Sequence, residues 1–367
     1  MKSELTSLDL HFMAREMQAL VGSRVDKVYE QKDDLKDFLL IFHKSGSGKL
    51  MLRVRLPGLA YLSQYKPDFP ETPPGFCMFL RKYLGGAKVL EVRQRGFERI
   101  LEIAFDAKEK KLTLVCELFS KGNMVLLDAE GKIKGLLESQ NWESRTIRGG
   151  TKYQYPPEQA NTLKMPMAEF EKIVTGTAFD AIVKTFAIEL GLGGFYAEEL
   201  CRKAGIAKDK KRLNLDELQK AYSEMNRMIN SAITANFSQG EIMPIGTTLE
   251  PEKSFGSFSE AIDETLTQKI ESATEKKEAK EKQTKEKKIA NVITKQEERL
   301  QELENEISEN QKKGELIYEN YQEVKELLDA INSDRKKMGW EELKKKYARN
   351  KLIKSINEKT GTVDVEL

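Results

Sequence analysis

The stretch RQRGFERILEI, residues 93–103, indicates the fold more clearly than any other part of the chain. A glycine separates a polar, basic half from a half in which apolar and charged residues alternate, which is typical of two strands joined by a tight turn. Glu98 and Arg99 stand where the second strand begins, and Arg93 and Arg95 lie just before the turn. An acid–base pair beside a turn, with arginines upstream, suits a nucleic-acid surface better than a packed core. The alternative is an exposed hairpin whose charges only keep it soluble.

Apolar residues continue to alternate with polar ones on both sides of this stretch. Short strands are predicted at residues 25–29, 38–42, 50–54, 61–65, 89–93, 100–105, 112–117, 124–127 and 133–137. Two helices are predicted among them, one capped at residues 7–9 and ended by Gly22, the other over residues 76–84 after a Pro-Pro-Gly turn. So many short strands with few helices predict an α+β domain over residues 1–157, built on a curled antiparallel sheet or a sandwich.

A helical region is predicted next, over residues 158–265. Its centre is the segment LGLGGFYAEELC, whose turn contains Gly191, Gly193 and Gly194. This is the pattern of a helix-hairpin-helix, in which glycines let backbone N–H groups approach a phosphate at the positive end of a helix dipole. Lys203 and the basic residues after it would add charge for contact with a nucleic-acid backbone. A plain helix–helix turn with glycine C-caps is the alternative.

A long helix with a coiled-coil pattern is predicted over residues 266–338. Its seam positions recur at alternating spacings of four and three, with Gln296, Asn310 and Gly314 as weak positions and the others apolar, at Ile289, Ile293, Leu300, Leu303, Ile307, Ile317, Tyr321, Val324, Leu328 and Ile331. Such a seam needs a partner helix from this chain or from another molecule, so we expect a tendency to self-associate. Residues 339–367 hold a basic helix and end in a strand-like pattern, predicted to start a small domain at the tip of the arm. We therefore expect the chain to be a fragment of a longer protein.

The composition limits what the protein can bind. The 367 residues contain 61 Lys and Arg against 59 Asp and Glu, so the net charge is only +2 and nucleic-acid binding must come from local patches. The three cysteines are predicted to be buried thiols in a reducing compartment. With two histidines and no cysteine pair at zinc-finger spacing, neither a metal site nor a cofactor is predicted. The N-terminus lacks the apolar core of a signal peptide and no run reaches membrane-spanning length, so we expect a cytoplasmic protein that binds no membrane.

Several segments together resemble the NFACT family, ribosome-associated quality-control factors once labelled fibronectin-binding proteins. The similarity covers almost the whole chain, and it rests on the order and spacing of the segments rather than on any one of them. The similar segments are LDLH at residues 8–11, GSRVDKVY at 22–29, GFERI at 96–100, ELFSKGN at 117–123, YPP at 155–157, GGFYAEE at 193–199 and GELIYENY at 314–321. Within GFERI, Glu98 and Arg99 are similar to the family's functional Asp-Arg motif, with glutamate in place of aspartate.

The resemblance implies a function in translation. Family members bind large ribosomal subunits that still hold an obstructed peptidyl-tRNA, and they recruit tRNA so that C-terminal tails are added without a message. Carried over by position, Glu98 and Arg99 would contact tRNA, with Arg93 and Arg95 adding attraction. The helix-hairpin-helix would also engage tRNA, while the coiled coil and its tip would reach ribosomal RNA and protein at the stalk base. The family's later RNA-binding domain would lie outside this chain.

Two other classes of function compete with this interpretation. The N-terminal fold of the family is similar to that of the formamidopyrimidine-DNA glycosylases, but their chemistry uses an N-terminal proline amine followed by glutamate, and this chain begins MKSE. The sequence contains no recognisable nucleophile–base arrangement and no Walker-type phosphate loop, so no catalytic residues and no enzyme activity are predicted. A DNA- or RNA-binding relative of the glycosylases without catalysis therefore stays open. So does a surface adhesin that binds fibronectin, which would need export.

Overall fold

The computed structural model describes residues 2–32, 36–108, 110–142, 145–157 and 160–367; for residues 268–286, within a long helix, it describes only the backbone. The chain divides into two compact units, Met1–Ser272 and Ala273–Leu367. Among the described residues, no helix is both long enough and apolar enough to cross a lipid bilayer.

Strands dominate the first half of the larger unit. Helix α1 (Ser7–Glu16) precedes four of them, β1 (Arg24–Glu30), β2 (Asp37–Lys44), β3 (Gly48–Arg55) and β4 (Leu59–Leu62). Helix α2 (Gly75–Leu84) leads to seven more, β5 (Lys88–Gln94), β6 (Ile100–Ala107), β7 (Lys110–Glu117), β8 (Asn123–Leu127), β9 (Ile133–Leu136), β10 (Gln140–Asn141) and β11 (Thr146–Ile147). The strands predicted from alternation are confirmed to within a few residues. Thr6, rather than the residues after it, is the N-cap of α1 and forms a capping box with Asp9.

Strands β1 to β9 form one antiparallel sheet in the order β4-β3-β2-β1-β5-β6-β7-β8-β9. Every pairing except β1–β5 joins neighbours in the chain, so the sheet consists of two meanders. The meanders share one register pair, Arg24 with Lys88. Beyond that pair α2 packs beside β1, where Arg81 Nε donates to the Val28 carbonyl at 2.7 Å. The sequence left a curled antiparallel sheet and a sandwich open, and the structure confirms one large antiparallel sheet, with α2 set against the join.

The main hydrophobic core lies between this sheet and helices α1 and α2. Phe38, Phe42 and Phe105 are fully buried in it. The second meander also buries a smaller cluster on its other face, around Val115 and Ile147. The cysteines are free and buried, as predicted, and burial raises the pKa of the Cys116 thiol to about 12.

The region predicted to be helical holds four helices, α3 (Met167–Gly176), α4 (Ile182–Ile188), α5 (Gly193–Ala204) and α6 (Leu215–Ile229). They pack around a second core that contains Phe170, Phe186 and Tyr196, together with Phe12 of α1 and Phe97 of the β5–β6 turn. A small sheet that the sequence did not predict follows, made of β12 (Asn236–Ser238), β13 (Glu241–Met243) and β14 (Lys253–Ser254). Strands this short give too few residues for an alternating pattern.

Helix α7 (Phe258–Glu319) begins before the predicted start at residue 266, because its first turns belong to the main core. The Glu16 carboxylate caps this helix by accepting from the amides of Phe258 at 2.6 Å and Ser259 at 2.9 Å. One turn further on, the Asp263 carboxylate accepts from the Gln64 amide at 2.7 Å. Side-chain acceptors at both places therefore hold the start of α7 on the larger unit.

In the smaller unit the predicted apolar seam of α7 is exposed. Leu300 is 59% exposed and Ile307 is 64% exposed, and in the described part of the chain no second helix covers them. The coiled coil therefore stays a prediction. The side chains of residues 268–286, which fall in the predicted arm, lie outside the described residues.

A small domain follows α7, made of α8 (Tyr321–Arg335), α9 (Trp340–Tyr347), β15 (Ile353–Asn357) and β16 (Thr362–Val365). Its core contains Leu327, Ile331 and Leu343. The seam predicted for residues 321–331 is wrong, because the helix breaks at Asn320 and Leu327 is buried whereas Leu328 is 48% exposed. The heptad pattern did not predict the buried face of α8, because α8 packs against the β15–β16 pair and α9 and not against a second long helix.

Candidate nucleic-acid interface

The strand–turn–strand at residues 93–103 places two charged side chains at the surface. The turn closes through a hydrogen bond of 3.0 Å from the Glu98 amide to the Arg95 carbonyl. Phe97, at its tip, is only 5% exposed because its ring enters the helical core. With Phe97 anchored inside, Glu98 and Arg99 are left partly exposed at the start of β6.

A cleft of about 650 Å³ opens beside this pair. Glu98 and Arg99 line it together with Gly191 and Gly193, from the turn between α4 and α5. The N-terminal residues 4–7 contribute as well. Two segments that the sequence marked separately as candidate sites are thus brought to one cleft by the fold.

Arg99 is held at the cleft by a carboxylate from the N-terminal segment. Its Nη1 lies 2.8 Å from Glu4 Oε2, and the side chains are 30% and 55% exposed. An ion pair this exposed is screened by water and contributes little to stability. Breaking this pair therefore costs little free energy, and an anionic ligand can replace the carboxylate as the partner of the guanidinium.

Arg93 and Arg95 do not line the cleft; they lie against a buried carboxylate and a tyrosine beside it. Arg93 Nε donates to Glu102 Oε2 at 2.6 Å, and this hydrogen bond raises the pKa of Arg93. The Arg95 guanidinium lies 4.2 Å from the centre of the Tyr155 ring, and the Tyr155 hydroxyl donates to Glu102. Sequence reasoning placed both arginines in the site, whereas the structure places them next to it.

The glycines of the α4–α5 turn allow close packing. Gly191 has φ +67°, and a Cβ there would lie 3.4 Å from the Phe97 ring. Gly193 has φ +75°, and a Cβ there would lie 3.2 Å from the Thr6 side chain. Gly194, by contrast, has open space around it. The first two glycines therefore let the turn approach the sheet domain. This packing role is separate from the phosphate contact that the sequence predicted for them.

Lys203 lies at the opposite end of α5 from these glycines. Ten residues of helix separate it from Gly193, which corresponds to about 15 Å. Its ammonium group donates to the Gly246 carbonyl at 2.9 Å, so it ties α5 to the loop after β13. The structure therefore does not bring Lys203 to the cleft.

A buried polar network that sequence reasoning missed supports the wall of the cleft. The Tyr196 hydroxyl of α5 donates to Asp9 Oδ1 at 2.6 Å, and Lys2 Nζ lies 2.8 Å from the same oxygen. Asp9 is fully buried. Tyr196 lies 187 positions from Asp9 and Arg99 lies 95 positions from Glu4, so no local pattern could have paired them.

The described residues offer no group of three or more His, Cys, Asp or Glu side chains arranged to hold a metal ion. What the cleft offers is a guanidinium, two carboxylates and a helix N-terminus without a side-chain cap at α5. That arrangement suits hydrogen bonding to a polar or anionic ligand.

These features define a class of protein. Its sheet consists of two joined meanders, and a helical cluster packs on the sheet beside a cleft lined by an acidic and a basic side chain. The family model for NFACT N-terminal and middle domains matches residues 6–366. The chain therefore belongs to the NFACT family.

Curated relatives agree with this assignment. The chain is 31% identical over 393 residues to the archaeal Rqc2 homolog aRqcH of Methanocaldococcus jannaschii, covering 100% of this chain and 58% of that protein. It is 25% identical over 370 residues to the human ribosome quality control complex subunit NEMF, covering 91% of this chain and 34% of that protein. The chain thus spans about half, or less, of the length of these relatives.

Solved structures show the same fold. The N-terminal part of the fibronectin/fibrinogen-binding protein from Streptococcus suis matches with a TM-score of 0.60 at 24% identity, over 72% of this chain and 100% of that one. The fibrinogen binding protein from Staphylococcus aureus matches with a TM-score of 0.58 at 21% identity, over 70% of this chain and 97% of that one. The predicted likeness to the glycosylase fold stays a prediction.

Proposed function

We propose that this chain is the tRNA- and ribosome-engaging part of a ribosome-associated quality-control factor. In this role it binds the obstructed large ribosomal subunit and recruits tRNA for template-free tailing of the stalled nascent chain. Membership of the NFACT family supports the proposal, as do relatives named as Rqc2 homologues and quality control complex subunits. Such a factor works in the cytoplasm on ribosomes, without catalysing a reaction through its own side chains.

The observation that carries the proposal is that Glu98, Arg99 and the glycine turn share one cleft. A guanidinium holds its donors in a rigid planar fork that matches a phosphate or a guanine edge, and the flexible ammonium group of lysine lacks this fixed geometry. A carboxylate would repel phosphate, so Glu98 accepts from a base amino group or a ribose hydroxyl. The α4–α5 turn acts as a helix-hairpin-helix and adds backbone N–H groups from the α5 N-terminus.

The second unit supplies the other ribosome contact in this proposal. Helix α7 forms a coiled coil, and the domain of α8, α9 and the β15–β16 hairpin at its tip reaches ribosomal RNA and protein at the stalk base. The uncovered apolar seam of α7 supports this role, since such a seam requires a partner helix.

An adhesin is the competing function, because the two solved neighbours are named as a fibronectin/fibrinogen-binding protein and a fibrinogen binding protein. Because these neighbours are less than 25% identical to this chain, the comparison with them supports only the fold and not a shared ligand. The curated relatives align over the whole or nearly the whole of this chain and are named for ribosome quality control, which favours the ribosomal role.

Binding of labelled bulk tRNA across a salt series tests the proposal. Arg99→Ala should weaken binding and reduce the slope of log K against log salt by about one unit, because one phosphate contact is lost. Arg227→Ala is the matched control, since Arg227 is 73% exposed and pairs with Glu224 on α6, away from the cleft. Equal binding by wild type and Arg99→Ala would show that Arg99 is not a tRNA contact.

A further inference from the structure

A second group of cations surrounds the last turn of α2. Lys66 Nζ lies 4.5 Å and the Arg81 guanidinium 5.3 Å from the centre of the Tyr29 ring. On the other side of the helix, the Tyr83 ring has Lys82 at 5.6 Å and Lys134 of β9 at 5.1 Å. We call these four basic residues the α2 cation row: Lys66, Arg81, Lys82 and Lys134.

In the α2 cation row, Arg81 is half-buried and the three lysines are exposed. The row differs in its partners from three arginines elsewhere in the larger unit. Arg53, Arg93 and Arg145 each pair with a buried carboxylate, which neutralises them. Within the described part of the chain, none of the four members of the row forms an ion pair, and α2 itself contains no acidic residue. Their positive charges are therefore not cancelled by a bound partner.

The tyrosine rings fix these side chains without consuming their charge. A cation over an aromatic face is attracted to the ring and loses rotamer freedom, yet it keeps its outward N–H donors. Phe69 stacks on Tyr29 at 5.1 Å, which leaves little of that ring open for stacking on a base. The row therefore suits contact with phosphates rather than with nucleobases.

The α2 cation row is separate from the Glu98–Arg99 cleft. The end of α2 lies where β5 begins, since the Ala87 amide donates to the Leu84 carbonyl just before Lys88. The Glu98–Arg99 turn follows the other end of β5, a strand of seven residues, which is about 20 Å long. The row and the cleft are therefore two distinct places on the surface of the larger unit.

We infer that the α2 cation row is a second RNA-binding surface, which contacts the phosphodiester backbone of ribosomal RNA in the large subunit. The inference rests on the proposed function in taking the large subunit as the partner, and goes beyond it in assigning the surface. With a net charge of only +2, the chain must bind a polyanion through local surfaces such as this one. Two carboxylates of β1 lie near this end of the row: Asp26 lines a groove with Arg81, and Glu30 accepts from the Cys77 amide one helical turn before Arg81.

Co-sedimentation of the full chain with purified large ribosomal subunits, across a salt series, tests the inference. The Lys82→Ala/Lys134→Ala variant should bind severalfold more weakly, with a salt slope lower by between about one and two units. The control is Lys184→Ala/Lys220→Ala, which loses the same charge from exposed lysines that pair with Asp180 and Asp216. It should bind like the wild type. Lys82→Arg/Lys134→Arg should restore binding, because the charges return.

Equal slopes for the α2 variant and the lysine control would overturn the inference, and so would failure of the wild-type chain to bind the subunit at low salt. A loss of bulk tRNA binding in Lys82→Ala/Lys134→Ala would also overturn it, because the row would then serve tRNA. The Arg99→Ala measurement with tRNA decides the proposed function independently of these outcomes.

Discussion

Two buried carboxylates in the second meander, those of Glu117 and Glu102, each have hydrogen-bonded partners that compensate their charge. Glu117 is 1% exposed and accepts from Arg145 at 2.6 and 3.1 Å, as well as from the Tyr153 hydroxyl. Glu102 is equally buried and accepts from Arg93 and Tyr155. Each carboxylate is supplied with one guanidinium and one phenol, so neither charge is left unpaired.

Removing Arg145 should be severe, because it leaves the Glu117 charge buried with only a phenol as partner. We expect Arg145→Met to cost about 3–5 kcal/mol of unfolding free energy, measured by chemical denaturation. Arg145→Met combined with Glu117→Met should cost clearly less, because no buried charge remains. Arg227→Met, which breaks an exposed pair, should cost under about 1 kcal/mol. Equal losses in the single and double variants would contradict this account of the pair.

The sequence identified Glu98 and Arg99 because they stand at a turn between two strands. It could not identify Glu4 as the partner of Arg99, since 95 positions separate them and only the folded sheet brings them together. The sequence also could not show that Arg99 lines the cleft whereas Arg93 does not. Both follow the same polar pattern, and only the register of β5 against β6 sets Arg93 over Glu102.

Among the elements, helix α7 is the one whose start is most tightly specified. The Asp263 carboxylate accepts from the Ser63 hydroxyl at 2.8 Å and from the Gln64 amide at 2.7 Å. Asp263→Ala should therefore cost about 1–3 kcal/mol and speed amide hydrogen exchange at Gln64 and in the first turns of α7. Asp329→Ala, at an exposed position of α8, should change neither quantity. Unchanged exchange in Asp263→Ala would mean that apolar packing alone holds the helix.

The exposed seam of α7 predicts self-association of this chain. Leu300 and Ile307 are more than half exposed, which is costly for apolar side chains that could instead be buried between two helices. We expect sedimentation to show a concentration-dependent dimer that Leu300→Gln/Ile307→Gln weakens at least tenfold. Gln301→Asn/Gln311→Asn, at exposed positions off the seam, should dimerise like the wild type. A wild-type chain that is monomeric at every accessible concentration would refute the prediction.

Elements with a long regular pattern were predictable, and elements set by distant contacts were not. The strands of the large sheet follow from alternation, because one face of each is buried against α1 and α2. The heptad pattern predicted for residues beyond Asn320 does not describe α8, because Leu327 and Ile331 pack in the small core that contains Leu343 of α9. The strands β12 to β14 pair with one another after a turn of polar residues, and they leave no pattern to recognise.

At the scale of the molecule, the larger unit depends on the contact between its sheet and its helical cluster. Part of that contact lies where Gly191 approaches Phe97 of the β5–β6 turn and where Gly193 approaches Thr6, the N-cap of α1. Gly193→Ala should cost about 1–3 kcal/mol, because it adds a methyl group at a positive φ against a close neighbour. It should also weaken tRNA binding, because the cleft lies at this contact. Gly194→Ala, in open space on the same helix, should be neutral or stabilise by up to about 1 kcal/mol. Equal stability of the two variants would show that the close approach is unimportant.

The single register pair between β1 and β5 also bears on how the protein is made. All other ladders of the sheet join strands that follow one another in the chain, so their closure involves short loops. The β1–β4 meander can form its hydrogen bonds while β5–β9 is still being synthesised, and the second meander then needs its own turns and the few hydrogen bonds that join residues 22–25 to residues 86–89. Order of synthesis and order of pairing therefore coincide within each meander, and only the edge of β1 waits for β5.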